Sequence, residues 1–255
     1  FAFKSCKTCE IQMYLTLVNI FGSSPIMIME DKTVNRQFAT ITEDGSTKTL
    51  QTLAAAFLKL EAVACKDWLT NKVDRCVGGL VAKQQCVGPL QLPLNNCGVM
   101  ALDFNGKEGI ATSIGHSPIS GLIDPVAGAK NSIAEALTNI IWAPLKDGLK
   151  SISLSANWMW PCRNEGEDAR LYKAVQAISD FVINLGINVP TGKDSLSMKQ
   201  KYPEGDVIAP GTVVISAAGS CNDITKVVEP VFIKGGGSIY YINMSQDTFK
   251  LGGSS

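Results

Sequence analysis

Two apolar runs, Gly98 to Phe104 and Gly109 to Ile114, flank the step Asn105-Gly106. An Asn-Gly step between such runs is the strongest short-range signal for an antiparallel hairpin. Val126 to Asn139 follows, with apolar residues at Ala129, Ile133, Ala136, Leu137 and Ile140 at close to a 3.6-residue period. Pro125 precedes this stretch and Pro144 follows it, so the pattern predicts a helix bounded at both ends. A hairpin followed by a one-sided helix has to bury a sheet face against a helix stripe.

The rest of the chain extends this plan. Leu149 to Ala156 and Gly211 to Ala218 read as strands. Glu165 to Leu185 reads as a second helix, with Leu171, Val175, Ile178, Val182 and Leu185 on one face and Gly186 placed to end it. Its acidic start, Glu165, Glu167 and Asp168, suits a helix N-terminus. Val73 to Val87 is β-like and broken by Gly78-Gly79, which suggests a bulge or a hairpin. Lys48 to Lys72 has helical spacing, and Gly22-Ser-Ser-Pro25 and Asp44-Gly45 read as a loop and a turn. The order β-β-β-α-β-α-β predicts an α/β fold, an α+β mixed sheet with helices packed on one face. The chain begins at Phe1 and closes on the glycine-rich Leu251-Gly-Gly-Ser-Ser255 after a strand-like run, Ser238 to Met244. These ends lead to the expectation of a segment cut from a longer polypeptide.

Composition narrows the function classes. Hydrophobic residues make up 45% and charged residues 18%, a globular balance. Lys+Arg and Asp+Glu number 23 each, which gives no electrostatic case for nucleic acid or an anionic membrane. No apolar run approaches the ~20 residues of a membrane span. The eight cysteines are scattered, mostly among apolar residues, as free thiols would be. Cys6-x-x-Cys9 has no second pair for a zinc site. The expected compartment is reducing and cytoplasmic.

The polar candidates share one character. Glu135 and Asn139 lie four apart on one helical face and offer hard oxygen donors of the kind Mg²⁺ accepts. The same spacing fits a solvated helix face. Asn95-Asn96 can be oxygen ligands or an Asx turn. Asn157, beside Trp158 and Trp160, suits a pocket wall or a core edge. Gly192-Lys-Asp-Ser195-Leu-Ser-Met-Lys199 can offer backbone N–H groups, Lys193 and Ser195 to phosphate, or form an ordinary turn. It lacks the glycine pair of a P-loop. His116, the one histidine, sits in a Gly/Pro turn and reads as a hydrogen-bonded loop residue. Hydroxyl, amide, lysine and carboxylate with no nucleophile–base pair suit phosphate and Mg²⁺ better than hydrolysis.

The same residues carry a family likeness. Asp74-Arg75, Gln85-x-Val87-Gly88-Pro89 with Pro93, Gly115-x-x-Pro118 and Ala134-Glu-Ala-Leu-Thr-Asn139 occur in that order. Ser155-Ala-Asn157-Trp-Met159, Gly166-Glu-Asp168 and Gly192 to Lys199 follow. Together they resemble the large, single-chain phosphoribosylformylglycinamidine synthases, as do Gly22-x-x-Pro25 and Leu251-Gly-Gly-Ser254.

The resemblance implies an aminoimidazole ribonucleotide synthetase N-terminal-domain-like fold. It implies a piece of the ligase that makes formylglycinamidine ribonucleotide from formylglycinamide ribonucleotide with ATP, Mg²⁺ and glutamine-derived ammonia. Residues 1–72 would be the tail of a preceding synthetase domain, 73–226 a second N-terminal-type domain, and 227–255 the start of the last one. The partners would be the remaining synthetase and glutaminase domains. Glu135 and Asn139 would be Mg²⁺ ligands, with a third ligand position at Asn96, where the family usually has Asp. Asn95, Asn157, Lys193 and Ser195 would serve nucleotide or substrate phosphate. The piece is expected to be inactive alone and to self-associate as a homodimer through an exposed apolar sheet face. A non-catalytic nucleotide-binding module of the same synthetase, and a stand-alone kinase of the wider superfamily such as a thiamine-phosphate kinase, remain as alternatives.

Overall fold

The computed structural model describes residues 2–22, 28–30, 32–40, 42, 45–61 and 63–243. The chain forms two compact units, residues 1–31 and 32–255. In the first, β1 (Ala2–Lys4) pairs antiparallel with β2 (Ile11–Tyr14), and α1 (Leu17–Phe21) follows. The Thr16 side chain caps α1 by accepting the Asn19 N–H at 3.2 Å. Cys6 and Cys9 lie in the turn joining β1 to β2 as exposed free thiols. Most of the Gly22-x-x-Pro25 loop falls outside the described residues, as does Asp44.

The second unit opens with α2 (Thr47–Phe57), capped by Ser46, whose Oγ accepts the Thr49 N–H at 3.3 Å. A short α3 (Asp67–Thr70) follows. This corrects the single helix expected over Lys48 to Lys72. Among the described residues the apolar face of α2 meets no core: Leu50, Leu53 and Phe57 are about half exposed. Most helical stability comes from burying such a face, so helical spacing alone does not carry the helix onward.

The body of the unit runs β3 (Val81–Lys83), β4 (Cys97–Ala101), β5 (Gly109–Gly115), α4 (Pro118–Ile123), α5 (Pro125–Ile140), β6 (Ile152–Met159), α6 (Glu167–Leu185) and β7 (Asn188–Ser195). A small hairpin, β8 (Lys199–Tyr202) and β9 (Gly205–Ile208), precedes β10 (Thr212–Cys221). The main sheet has the order β3-β4-β5-β10-β6-β7. Its pairs are antiparallel except β6 with β7, which are parallel and joined through α6.

The predicted hairpin is present as β4 and β5, with Gly98 opposite Thr112. Its loop is wider than a two-residue turn. Asp103 Oδ1 accepts the Asn105 N–H at 2.7 Å and also takes the Gly106 N–H, an Asx turn. The stretch Val73 to Val87 becomes a 3₁₀ turn, Val77–Gly79, and the edge strand β3 with a register irregularity, not a hairpin. Leu149 to Ala156 yields a strand only from Ile152, after a 3₁₀ turn at Gly148–Ser151. Residues 238–243 form no strand; Met244 and residues 251–254 lie outside the described ones.

Helix α5 starts where its sequence says it should. Asp124 Oδ1 accepts the Val126 and Ala127 N–H groups at 2.8 and 3.3 Å, and Pro125 fills the first helical position. The buried stripe is the predicted one: Ala129, Ile133, Ala136, Leu137 and Ile140. It packs on β5, β10 and α6. Helix α6 ends at Gly186, whose φ of 68° only glycine adopts readily and whose N–H bonds back to Ile183 O at 3.1 Å. Its buried face is shifted from the predicted one: Ala174, Ala177, Ile178 and Val182 face inward, while Val175 is 43% exposed.

The sheet is therefore two-faced. Cys97, Val99, Ala111, Leu154, Ala156, Val213 and Ile215 point to the helices and are buried. Burying a side chain such as Ile133, Leu154 or Ile215 contributes about 1.5–3 kcal/mol before entropy is subtracted. Residues of opposite parity, including Met100, Ile110 and Ile114, lie on an open face and are 39–58% exposed. Among the described residues the cysteines are free thiols, and burial pushes Cys97 up to about 11. No helix among them is long and apolar enough to cross a membrane.

Candidate functional site

Register places the five candidates on or beside strands at one end of the sheet. Gly115 pairs with Ile215, Ile215 with Ala156, and Ala156 with Gly192, forming one row across β5, β10, β6 and β7. The next row toward the end holds Val214, Asn157 and Lys193, with Ser195 two residues beyond. Strand β4 runs the other way, and Cys97 pairs with Ser113. Asn96 and Asn95 thus step toward that same end, level with Ile114 and Gly115.

Helix α5 is bound to this end by its polar pair. Glu135 Oε2 accepts the His116 backbone N–H at 2.6 Å, and Asn139 Nδ2 donates to Ile114 O at 3.1 Å. Two side chains four apart on one helical face thus hold one strand end. A carbonyl accepts only from the amide nitrogen, which leaves Asn139 Oδ1 as the oxygen available elsewhere. His116 Nδ1 also stands 3.6 Å from Glu135 Oε2, with the imidazole 53% exposed.

Beside these residues lie two cavities. The larger, about 900 Å³, spreads over the open sheet face and includes Thr112, Ser153, Ser155, Thr191 and His116 in its lining. The smaller, about 290 Å³, is bounded by Trp142, Val228 and Glu229. Asn95, Asn96 and Asn139 line both.

The two asparagines divide by strand alternation. Asn95 continues the parity of Cys97 and Val99. Its Nδ2 donates to Gln84 O and Cys97 O, both at 2.7 Å, and its Oδ1 accepts the Cys97 N–H at 3.2 Å. It is an Asx-turn residue with its amide spent on backbone. Asn96 shares the parity of the open face, is exposed, and turns toward the cavities.

A second group lies across the sheet. Lys193 and Ser195 are residues of β7, which corrects the reading of Gly192 to Lys199 as one loop. Gly192 is there for close approach: a Cβ on it would meet Ala156 O at 2.2 Å. Ser195 O accepts the Trp160 N–H at 2.8 Å. Asn157 faces the open side of β6, and its Oδ1 is enclosed with no hydrogen-bond partner among the described residues. An orphaned buried oxygen is a site for a donor to arrive. None of these three residues lines either cavity.

Distance decides which residues can share a cation. Strands β4 and β7 are four inter-strand spacings apart, roughly 19 Å. Mg²⁺ ligands sit about 2.1 Å from the ion, so they stand within roughly 4 Å of one another. Asn157, Lys193 and Ser195 cannot join Asn96 and Asn139 on one ion. Among the described residues no three of His, Cys, Asp and Glu gather at metal-binding range. A hard cation held by amides and one carboxylate fits only with phosphate oxygens supplying the remaining charge.

The sequence reading missed Lys83, Trp142 and Glu229. Lys83 Nζ pairs with Glu229 Oε1 across 146 residues of chain. No local pattern announces a pair so distant in sequence.

Comparison with known proteins shows the family. A family model described as the FGAR-AT PurM_N-like domain matches residues 65–220. The phosphoribosylformylglycinamidine synthase of Homo sapiens is 46% identical over 200 residues, which span 78% of this chain and 15% of that protein. The probable phosphoribosylformylglycinamidine synthase, chloroplastic/mitochondrial, of Arabidopsis thaliana is 45% identical over 210 residues, 81% of this chain and 15% of its own length. The chain therefore spans 15% of the length of these curated relatives. The solved structure of PurLQS from Thermotoga maritima shares the fold with a TM-score of 0.55 at 16% identity, covering 87% of this chain and 32% of that one.

Proposed function

The chain belongs to the FGAR-AT PurM_N-like domain family, and from that premise we propose that it forms a Mg²⁺–nucleotide site of an ATP-dependent C–N ligase. The proposed reaction is the conversion of formylglycinamide ribonucleotide to formylglycinamidine ribonucleotide in purine biosynthesis, with ammonia from a glutaminase domain elsewhere in the polypeptide. The observation that carries this reading is the wall shared by two cavities, where Asn96 and the Asn139 amide stand at the end of the sheet; Glu135 lines neither cavity and stands one helical turn before Asn139, on the His116 N–H.

In this reading Asn96 Oδ1, Asn139 Oδ1 and Glu135 hold Mg²⁺, whose charge draws nucleotide phosphate to the cavities. The ion supplies charge neutralisation; the protein supplies position. Lys193, Ser195 and Asn157 are far enough away to meet the other end of an extended ligand. Asn95 holds the β4 turn and contacts nucleotide only through its backbone. Residues 73–226 form the synthetase domain, flanked by parts of its neighbours at 1–72 and 227–255. Free thiols throughout the described residues support a reducing compartment such as the cytoplasm.

Calorimetry with ADP and Mg²⁺ tests the site. Glu135→Ala is expected to remove Mg-dependent ADP binding. Asn96→Asp, which adds a negative charge beside the ion, is expected to tighten it about tenfold. If the unaltered chain takes up no Mg–ADP, the reading fails. A parent enzyme carrying Glu135→Ala that still turns over would assign the site a non-catalytic, structural role.

The open sheet face gives the chain a second property. Met100, Ile110 and Ile114 lie there together, half exposed, and apolar groups in such a patch favour association. Two copies are expected to pair through this face. Light scattering should then give a dimer mass that falls to the monomer for Ile114→Asp; a monomer at every concentration overturns the idea.

A further inference from the structure

The segment that leaves β10 carries a carboxylate to the smaller cavity and is fixed there. Ile224 N–H donates to Lys107 O at 2.8 Å, and Val228 N–H to Trp142 O at 2.9 Å. Beyond it, Val231 side-chain atoms fill the space beside Gly88. Glu229 lies between these anchors and directly ahead of Pro230, which confines it to extended conformations. Its position is set by backbone, not by its own side chain. Glu229 lines the smaller cavity together with Asn96 and Asn139, while Lys83, its ion-pair partner, lines the larger one. The pair straddles the wall of asparagines that separates the two spaces.

The charges present call for such a group. Asn96 and Asn139 are neutral. Glu135 already spends one oxygen on the His116 N–H. Glu135 lines neither cavity, whereas Glu229 is a carboxylate in the same cavity as Asn96 and Asn139, and Mg²⁺ takes one or two carboxylates beside phosphate oxygens. The ammonium beside it is what a phosphate would seek.

We propose that Glu229 donates a carboxylate oxygen to the cation held by Asn96 and Asn139, and that Lys83 exchanges Glu229 for a phosphate when Mg–nucleotide enters. This rests on the Mg²⁺–nucleotide reading of the site. Without ligand the two groups neutralise each other. With ligand each passes to a partner of opposite charge, so no net charge is left exposed. The exchange makes and breaks no covalent bond.

Calorimetry on the 255-residue chain separates this proposal from the reading beneath it. ADP is titrated with saturating Mg²⁺ and again with EDTA. Glu229→Gln is expected to weaken Mg–ADP about tenfold, because it removes a metal ligand, and to strengthen metal-free ADP, because Lys83 no longer has to leave a carboxylate for the phosphate. Lys83→Gln is expected to weaken both about tenfold, because it removes a phosphate contact. The double variant Lys83→Gln/Glu229→Gln restores neutrality, and its Mg–ADP affinity should fall below that of either single variant. If the pair only braces the fold, the double variant regains the original affinity, and the proposal is overturned. If Glu135→Ala abolishes Mg–ADP binding while Glu229→Gln matches the unaltered chain, Glu229 is excluded and the site stands. If the unaltered chain binds no Mg–ADP, both fall. Melting curves of the unliganded variants confirm that each is folded.

Discussion

Gly115→Ala should destabilise the fold by about 3 kcal/mol or more, the overpacking limit for a site that cannot yield. A Cβ on Gly115 would lie 2.1 Å from Ser132 O and 2.4 Å from Ala136 N. Both are backbone atoms of α5, so no side-chain rotation relieves the clash. Helix α5 has to lift from β5, which also opens the Glu135–His116 and Asn139–Ile114 hydrogen bonds. Core packing and candidate site therefore fail together. Chemical denaturation measures the loss, and Mg–ADP calorimetry below the transition should show weakened binding in the fraction still folded. Gly45→Ala is the control: a Cβ there meets nothing within 4 Å, and its effect should stay within about 0.5 kcal/mol. A Gly115→Ala chain as stable as the original would show that α5 does not rest on this contact.

Gly115 also marks how far the sequence could be read. The hairpin, α5 and α6 were legible because each pairs a strong periodic pattern with local punctuation: Asn105-Gly106, the bounding Pro125 and Pro144, and Gly186. Local signals fail where tertiary contact decides. Lys48 to Lys72 has helical spacing, yet α2 stops at Phe57 because its apolar face finds no core among the described residues. Gly192 advertises a flexible loop, yet it is a strand residue made small by the carbonyl of Ala156. The paired asparagines were legible as polar candidates, but only strand parity separates the bonded Asn95 from the cavity-facing Asn96. Glu135 and Asn139 were legible as one helical face. Their hold on β5 was not, because it depends on which strand the helix crosses. Glu229 and Lys83 left no trace in sequence, since their meeting requires the whole sheet to form first.

The same dependence on tertiary contact makes Glu167 a costly residue to remove. It is 4% exposed at the start of α6. Its Oε1 takes a contact from Arg36 Nη2 and stands 3.5 Å from Arg170 Nε. Arg170 in turn donates through Nη2 to Leu122 O at 3.0 Å and to Gly121 O, the last carbonyls of α4. One carboxylate thus balances two guanidiniums while one of them closes a helix end. Burial, and then the Arg36 charge, lowers the Arg170 pKa, and Glu167 opposes that shift. Glu167→Gln leaves the positive charges without their counter-charge and is expected to cost about 3–5 kcal/mol, the range for breaking a buried pair from one side. Replacing both partners, as in Glu167→Leu/Arg170→Met, should cost less than the two single changes added, because no buried charge is then left unpaired at this pair. It should not be neutral. The α4 carbonyls lose their donor, which keeps a penalty of about 1–3 kcal/mol. The exposed Lys32–Glu165 pair, at 2.5 Å with both side chains about two-thirds exposed, is the contrast. Lys32→Gln should leave the unfolding midpoint where it is, because a solvated pair gains little over its hydrated parts. Equilibrium denaturation of these variants, with Glu167→Leu and Arg170→Met as the two single changes, decides the matter. A Glu167→Gln chain that unfolds at the original midpoint would mean that solvent reaches the cluster and that α4 and α6 are held together by packing alone.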